Sequence, residues 1–282
     1  MIVGVVGLGQ MGGSFAKALK QRTEHTVLGC DVNQSAFLAA KMFNAIDGEL
    51  TRERLGECDI LIVATYPKST VAYIRENAPY FNKAGVVMDC GGTKAMVCRE
   101  VLPLTQAHGF RFIGAHPMAG VAAFGFESSK ETMFVRASII LTPFTGTDIA
   151  LVSYVSRFCM ELGFTRTPIL SPEAHDEMIA YTSQLAHVVS NAYIQNPLAL
   201  RHKGYSAGSF RDLTRVAKLN ADMWTELFLE NADKLADEVD LITEKLQAYS
   251  AAIRGRDAQT LHALLEAGTQ AKLASEESEK EK

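Results

Sequence analysis

Residues 2–21 read IVGVVGLGQMGGSFAKALKQ, which is an apolar strand, a glycine turn and an amphipathic helix in direct succession. Gly7, Gly9 and Gly12 fit the spacing GxGxxG, and a second apolar stretch ends at Asp31, about 20 residues further on. This order is typical of a dinucleotide-binding unit. In such a unit the first glycine permits a tight turn, the second lets a pyrophosphate approach the backbone, and the third lets helix and strand pack closely.

The same segment predicts the cofactor. The helix N-terminus after the turn would face the negative pyrophosphate. We expect Asp31 to accept hydrogen bonds from both ribose hydroxyls, which favours NAD, because the 2'-phosphate of NADP would meet a carboxylate with no adjacent arginine. The other expected cofactor contacts are Leu8, Gln10, Met11 and Thr65. The alternative is a glycine turn without a ligand, in which Asp31 caps a helix.

Up to about residue 170, short apolar runs alternate with helix-length amphipathic stretches. The runs are IVGVVG, TVLGCDV, DILIVAT, GVVMDCG, FRFIGA and ASIILTP. Valine- and isoleucine-rich runs suit strands that are covered on both faces. We therefore predict an α/β fold, in which residues 1–170 form a Rossmann-type, doubly wound parallel sheet that binds its ligands at the carboxyl edge.

The pattern changes after Ser171 and Pro172. Apolar residues then recur at spacings of three, four and seven, which predicts an all-helical domain over residues 171–272. These helices are too few and too apolar to cover their own faces, so we expect a homodimer. Residues 273–282 are almost entirely polar or charged and are predicted to form a disordered tail.

Composition narrows the possible partners. The 282 residues carry a formal net charge of -4, which offers no general field for nucleic acid. No run approaches the ~20 apolar residues that span a bilayer, and no basic segment precedes the first strand. We expect a cytoplasmic protein without a nucleic-acid or membrane partner. The five cysteines lack CxxC spacing, so free thiols and no metal site are expected.

The segment GAHPMAG places His116 directly after the fifth predicted strand. That is the sheet edge at which a nicotinamide would lie. A neutral imidazole there can accept the proton of a substrate hydroxyl while hydride leaves the same carbon. Protonation of His116 near the ordinary histidine pKa of ~6.5 would then stop this proton transfer.

A wider set of motifs suggests a family. The segments VGLGQMGGSFAKAL, DCGGTK, GAHPMAG, SQLAH, GSFRDLTRVA and MWTELFLENADKL together resemble the prephenate and arogenate dehydrogenases, the TyrA family, from residue 2 to about residue 270. The resemblance implies NAD-dependent oxidative decarboxylation of prephenate to 4-hydroxyphenylpyruvate in tyrosine biosynthesis. In that reaction hydride passes from C4 to NAD, the 4-hydroxyl proton is lost, and the ring carboxylate leaves as CO2.

The resemblance also implies site residues. His116 would accept the hydrogen bond of the 4-hydroxyl, Arg215 would bind a substrate carboxylate, and His187 would help to seat the substrate. Arg211 lies one helical turn before Arg215, so it either faces the same pocket or pairs with Asp212.

Three positions depart from the family pattern. Gln184 and Ala186 stand where many relatives have His and Pro, and Gly92 stands where many have a serine that contacts the reacting hydroxyl. Thr93 or a water is the expected substitute for that serine. These departures leave the choice between prephenate and arogenate open.

Two other functions stay open on the sequence. The turn GLGQMG also resembles β-hydroxyacid dehydrogenases, but those enzymes have a catalytic lysine four residues before an asparagine, and here His187 precedes Asn191. An NAD-binding sensor without catalysis would require His116 and Arg215 to be coincidental.

Overall fold

The described residues, 1–121 and 123–280 of a computed structural model, form a seven-stranded sheet. Its strands are β1 (Ile2–Val6), β2 (Thr26–Cys30), β3 (Gly48–Glu49), β4 (Ile60–Val63), β5 (Val86–Asp89), β6 (Arg111–Pro117) and β7 (Ile139–Pro143). The order is β3-β2-β1-β4-β5-β6-β7, with every neighbouring pair parallel except β6 and β7. All six predicted runs form strands, whereas the two-residue β3 was not predicted.

Helices cover both faces of the sheet, as the predicted doubly wound fold requires. The helices of this half are α1 (Gln10–Arg22), α2 (Gln34–Met42), α3 (Pro67–Asn77), α4 (Ala95–His108) and α5 (Ile149–Glu161). Alternate residues of β4 belong to two separate apolar cores: Ile60 and Ile62 to one, Leu61 and Val63 to the other. A strand buried on both sides explains why its sequence is continuously apolar.

The strand order reverses between β1 and β4, and ligands of such folds bind at this point. Gly7 follows β1 there with a φ of +81°, a conformation that favours glycine. A Cβ on Gly7 would lie 2.7 Å from the carbonyl oxygen of Ala64 and 2.9 Å from Cγ2 of Thr65. The glycine turn and the end of β4 therefore form the two sides of one crevice.

The second half is helical from the predicted position onward. The elements are α6 (Pro172–Ile179), a π-helical segment (Ala180–Leu185), α7 (Ala186–Ile194), α8 (Gly208–Thr214) and α9 (Ala221–Glu230). Ser171 caps α6, because its hydroxyl accepts a hydrogen bond from the backbone N–H of Ala174 at 3.1 Å. These helices belong to one compact unit with the sheet, Met1–Ala232, so the boundary between compact units lies later than the expected change of domain at residue 171.

The rest of the chain is a helical hairpin of α10 (Ala232–Gly255) and α11 (Ala258–Lys280). The Tyr249 hydroxyl donates to the Leu264 carbonyl oxygen at 3.1 Å and joins the two helices. The predicted disordered tail is wrong as far as residue 280, because α11 continues through it. Its Glu and Lys residues are good helix formers, and Lys272 pairs with Glu276 one turn on, at 3.1 Å. Residues 281–282 lie outside the described residues.

Two further expectations concern the whole chain. All five cysteines are free thiols, and Cys58, Cys98 and Cys159 are buried. Within the described ranges, no helix has the length and apolarity that a membrane crossing requires.

The glycine turn yields a stability prediction. A Cβ at Gly12 would lie 1.8 Å from the Gly7 carbonyl oxygen, whereas a Cβ at Gly9 would have no atom within 4 Å. We expect Gly12→Ala to cost roughly 1–3 kcal/mol or more through overpacking, and Gly9→Ala to change stability by less than about 1 kcal/mol. Thermal unfolding of the two variants measures this difference. Equal unfolding temperatures would show that the close packing at Gly12 is not required.

Candidate active site

The start of α1 is arranged to receive an anion. Gly9 is the N-cap residue of α1 and has no side chain that could cap the helix. The first turn of α1 carries no acidic residue. The space where a Cβ of Gly9 would lie is open. A helix N-terminus with uncapped N–H groups and open space in front of it suits a pyrophosphate.

Asp31 follows β2 at the rim of this turn. Its Oδ2 accepts a hydrogen bond from the backbone N–H of Leu8 at 2.6 Å, and its Oδ1 accepts one from Asn33 at 2.7 Å. The helix cap of α2 is Asn33, whose side chain accepts from Ser35 N–H at 2.9 Å. Asp31 therefore orients the glycine turn, and its carboxylate oxygens keep lone pairs for further donors.

The other residues expected to contact the cofactor differ in which of their groups are accessible. The side chain of Leu8 is fully buried in the apolar core, and Met11 packs against that core. Gln10 connects the turn to the loop beyond β6, since its Nε2 donates to the Val121 carbonyl oxygen at 3.1 Å and its Oε1 accepts from Val121 N–H at 3.2 Å. The Thr65 hydroxyl lies 2.9 Å from that of Thr70. In this arrangement Leu8 has only its backbone to present to a cofactor.

His116 lies inside β6, as its penultimate residue, and not after the strand as predicted. It pairs with Ile140 of β7. Its ring is enclosed by protein, and the residue keeps partial access to solvent. Because β6 ends at the carboxyl edge of the sheet, His116 is on the same edge as the glycine turn.

A buried ion pair holds the backbone beside His116. Lys94 and Asp89 have side chains 0% and 1% exposed and form a salt bridge through Nζ and Oδ2. Lys94 Nζ also donates to the Ala115 carbonyl oxygen at 2.8 Å, and the Ala115 N–H donates to Asp89 Oδ1 at 3.1 Å. The pair thus clamps β6 one residue before His116. The two residues are the first and last of the motif DCGGTK, and their pairing was not predicted from the sequence.

A second histidine contacts His116. His116 Nδ1 and His175 Nε2 are 2.9 Å apart, and His175 Nδ1 is 2.7 Å from Asp176 Oδ1. His175 is fully buried and Asp176 is 1% exposed. Asp176 also accepts backbone hydrogen bonds from Lys94 and Ala95 at 2.7 and 2.8 Å, at the N-terminus of α4. This chain of contacts was not predicted from the sequence, because 59 residues separate the two histidines along the chain.

Burial governs the charge of these rings. Desolvation holds the pKa of His116 well below 6.5, and the positive charges that His175 and Lys94 can carry lower it further. Desolvation also lowers the pKa of His175, against the opposing effect of its hydrogen bond to Asp176. Both rings are therefore neutral at pH 7. The expectation that His116 titrates near pH 6.5 is wrong for this reason.

A second cluster forms around His187 on α7. Its Nδ1 donates to the Ser183 carbonyl oxygen at 2.8 Å, and its ring lies 4.0 Å from that of Trp224. Burial lowers the pKa of His187, and the nearby charge of Arg215 adds to this effect. His187 thus keeps an unprotonated Nε2 as an acceptor. Arg215, just past the end of α8, is exposed and close enough to influence His187.

Arg211 and Arg215 have different surroundings. Arg211 contributes to a cavity of about 770 Å³ together with His202, Phe210 and Lys218. Arg215 is not part of that lining. The expectation that both arginines face one pocket therefore gains no support from their surroundings.

Thr93 does not stand where the resemblance would place a serine substitute. Its side chain is fully buried, and its hydroxyl donates to Glu230 Oε2 at 2.7 Å. Burial raises the pKa of Glu230. Because Thr93 already uses its proton in this contact and has no open surface, it does not substitute for the serine absent at Gly92.

Gln184 has a structural role in this chain. It lies in the π-helical segment, is 2% exposed, and donates from Nε2 to the Leu227 carbonyl oxygen at 3.0 Å. Its Oε1 accepts from Asn231 Nδ2 at 2.8 Å, and the same Nδ2 group donates to the Asp176 carbonyl oxygen at 2.8 Å. The residue that departs from the family pattern therefore ties α9 to the helix carrying His175. π-Helical segments occur frequently at functional sites.

Known proteins resemble this chain along most of its length. The family model for the prephenate dehydrogenase nucleotide-binding domain matches residues 15–165, and that for the prephenate dehydrogenase dimerization domain matches residues 171–267. Prephenate dehydrogenase of Bacillus subtilis is 29% identical over 272 residues, 91% of this chain and 71% of that protein. Cyclohexadienyl dehydrogenase of Zymomonas mobilis is 28% identical over 281 residues, 96% of this chain and 95% of that protein.

A solved structure agrees with the sequence relatives. The crystal structure of prephenate dehydrogenase from A. aeolicus in complex with hydroxyphenyl propionate and NAD+ has a TM-score of 0.85 and 26% identity, and the match covers 97% of this chain and 98% of that one.

The enclosure of His116 predicts its titration. Because burial favours the neutral ring, we expect His116 to stay unprotonated as pH falls through 6.5 and to gain its proton only at distinctly lower pH. Nuclear magnetic resonance of the protein with ¹⁵N-labelled histidine, titrated from pH 8 downward, measures the midpoint. A midpoint for His116 at or above 6.5 would contradict the expected effect of burial.

Proposed function

Since this chain belongs to the prephenate dehydrogenase family, we propose that prephenate is its substrate and that His116 is its proton acceptor. The family reaction is an NAD-dependent oxidative decarboxylation in tyrosine biosynthesis. The observation that carries the proposal is a neutral imidazole at the carboxyl edge of the sheet, on the edge where the glycine turn opens. Arogenate is the alternative substrate.

The residues of the crevice fit NAD. The open space at Gly9, the uncapped start of α1 and the Asp31 carboxylate would hold the pyrophosphate and the ribose. We propose NAD in preference to NADP, since Asp31 is already anchored by Leu8 N–H and would repel a 2'-phosphate. Bound NAD supplies the acceptor for the substrate hydride.

His116 would remove the hydroxyl proton as the hydride leaves. A neutral ring can accept this proton, whereas an imidazolium cannot. The clamp of Lys94 and Asp89 on Ala115 fixes the backbone that carries the ring, so little reorganisation is needed at the moment of reaction. The product is aromatic once the ring carboxylate leaves as CO2, which drives the step forward.

Arg215 would bind a substrate carboxylate, and His187 would help to seat the substrate. Arg215 presents an exposed guanidinium, which pairs with carboxylate in a planar, two-pronged geometry. His187 adds an unprotonated Nε2 beside Trp224. Prephenate and arogenate both carry carboxylates, so the Arg215 guanidinium could bind either substrate.

We also propose that the chain acts as a homodimer. Its second half matches a model described as a dimerization domain. Apolar side chains are strongly exposed in this half, with Leu200 and Tyr205 both at 92%. Burying such side chains against a second copy is the usual way to cover them. Light scattering should report twice the mass of the chain, and a monomer at micromolar concentration would refute the dimer.

The cytoplasmic location of the protein stays a prediction.

The proposed function is tested by a matched assay. NADH or NADPH formation is measured with prephenate and with arogenate, each with NAD and with NADP. We expect the highest kcat/KM with prephenate and NAD. No turnover of either substrate by the wild-type protein, despite NAD binding, would favour a sensor.

The role of His116 is tested in the same assay. His116→Asn should lower kcat by ~10²- to 10⁴-fold with nearly unchanged NAD affinity, because it removes the proton acceptor from the chemical step.

The role of Arg215 has its own test. Arg215→Ala should raise the KM for prephenate by ~10- to 100-fold, since a hydrogen bond to a charged group contributes roughly 1.5–3 kcal/mol. Arg211→Ala changes a residue one turn earlier, in the lining of the cavity with His202 and Phe210, and should raise it by less than about threefold. Steady-state kinetics separate the two, and equal effects would show that Arg215 has no special role.

A further inference from the structure

The other hydrogen-bond partners of His175 determine which ring nitrogen donates in the contact between His116 and His175. Asp176 is surrounded by donors: the backbone N–H groups of Lys94 and Ala95, and His175 Nδ1. A carboxylate only accepts, so the proton of the 2.7 Å contact belongs to His175 Nδ1. The other nitrogen of a neutral His175, Nε2, then carries a lone pair and must accept.

The same reasoning passes to His116. Its Nδ1 faces the accepting Nε2 of His175 at 2.9 Å, so Nδ1 of His116 carries the proton. A neutral ring has one N–H, and Nε2 of His116 is therefore left as the acceptor. The proposed reaction needs an acceptor at His116, and only this tautomer provides it at Nε2.

We propose that His175 is a positioning residue, which with Asp176 holds His116 in the tautomer that accepts the substrate proton at Nε2. This inference rests on the proposed function of His116. When the substrate O–H bond breaks, an N–H bond forms at His116 Nε2, and the new imidazolium keeps its Nδ1–H bond to His175. The Asp176 carboxylate, one ring away, stabilises that positive charge.

The surroundings of the pair support this assignment over a packing role. His175 is fully buried on α6, and its two ring nitrogens both have partners at hydrogen-bond distance. The other charged groups nearby are Lys94 on the α4 side and Asp89 at the end of β5, which satisfy each other. Asp176 is therefore the carboxylate whose charge reaches His116 through a continuous chain of hydrogen bonds.

The first test needs no variant. In the ligand-free protein with ¹⁵N-labelled histidine, the proposal predicts that His116 and His175 are both protonated at Nδ1 and bare at Nε2 near pH 7. Two-dimensional spectra that correlate ring nitrogens with ring protons distinguish the tautomers. Protonation of His116 at Nε2 would overturn the proposal whether or not the enzyme turns over prephenate.

The second test uses kinetics. His175→Leu removes the acceptor, and we expect kcat to fall ~10- to 100-fold while the KM values for prephenate and NAD change less than about twofold. His175→Gln can still offer a carbonyl oxygen to His116 and should recover most of that loss. His108→Leu, at the opposite end of α4, is the matched control and should keep the wild-type kcat.

The outcomes separate this inference from the proposed function. A wild-type enzyme that is active, loses activity in His116→Asn and keeps full kcat in His175→Leu would overturn the role of His175 alone. Equal losses in His175→Leu and His175→Gln, with lowered unfolding temperatures and raised KM values in both, would also overturn it in favour of a packing role. An inactive wild-type enzyme would defeat the proposed function and with it the catalytic part of this inference, and the tautomers would still be read from the spectra.

Discussion

The site depends on the carboxylate of Asp176. It is 1% exposed and accepts hydrogen bonds from the start of α4 and from the ring of His175. A buried charge without partners is costly, and removing the partners of such a charge destabilises a protein by roughly 3–5 kcal/mol. The helix that carries Asp176 must therefore sit against the N-terminus of α4. This requirement places the first helix of the second half on the sheet edge that carries His116.

A second constraint is steric and acts at the other end of the site. A Cβ at Gly7 would overlap the Ala64 carbonyl oxygen, and a Cβ at Gly12 would overlap the Gly7 carbonyl oxygen. The resulting turn brings α1 against the end of β4, and Asp31 holds the turn through the N–H of Leu8. Gly9, by contrast, faces open space. The three glycines of the motif thus have different roles. Gly7 and Gly12 allow close packing of the protein, and Gly9 leaves room for the cofactor.

The departures from the family pattern have a physical explanation only in part. Gln184 is absorbed into a buried network with Asn231, which joins α9 to the backbone of Asp176. Thr93 is committed to Glu230 and is closed to a substrate. Nothing in the structure explains Gly92, where a side chain would meet Leu227 at an ordinary contact distance of 3.4 Å.

The sequence by itself determined the fold class, the six longer strands and the glycine turn, because these depend on local periodicity and on spacing within a short segment. It placed the change to helices at Ser171, since capping is also local. Only the tertiary structure decided that His175 and Asp176 meet His116 and that Lys94 and Asp89 clamp Ala115. Contacts between distant segments follow from how helices dock on the sheet. Burial in the folded protein also lowers the pKa of His116, and the degree of burial cannot be read from the spacing of residues along the chain.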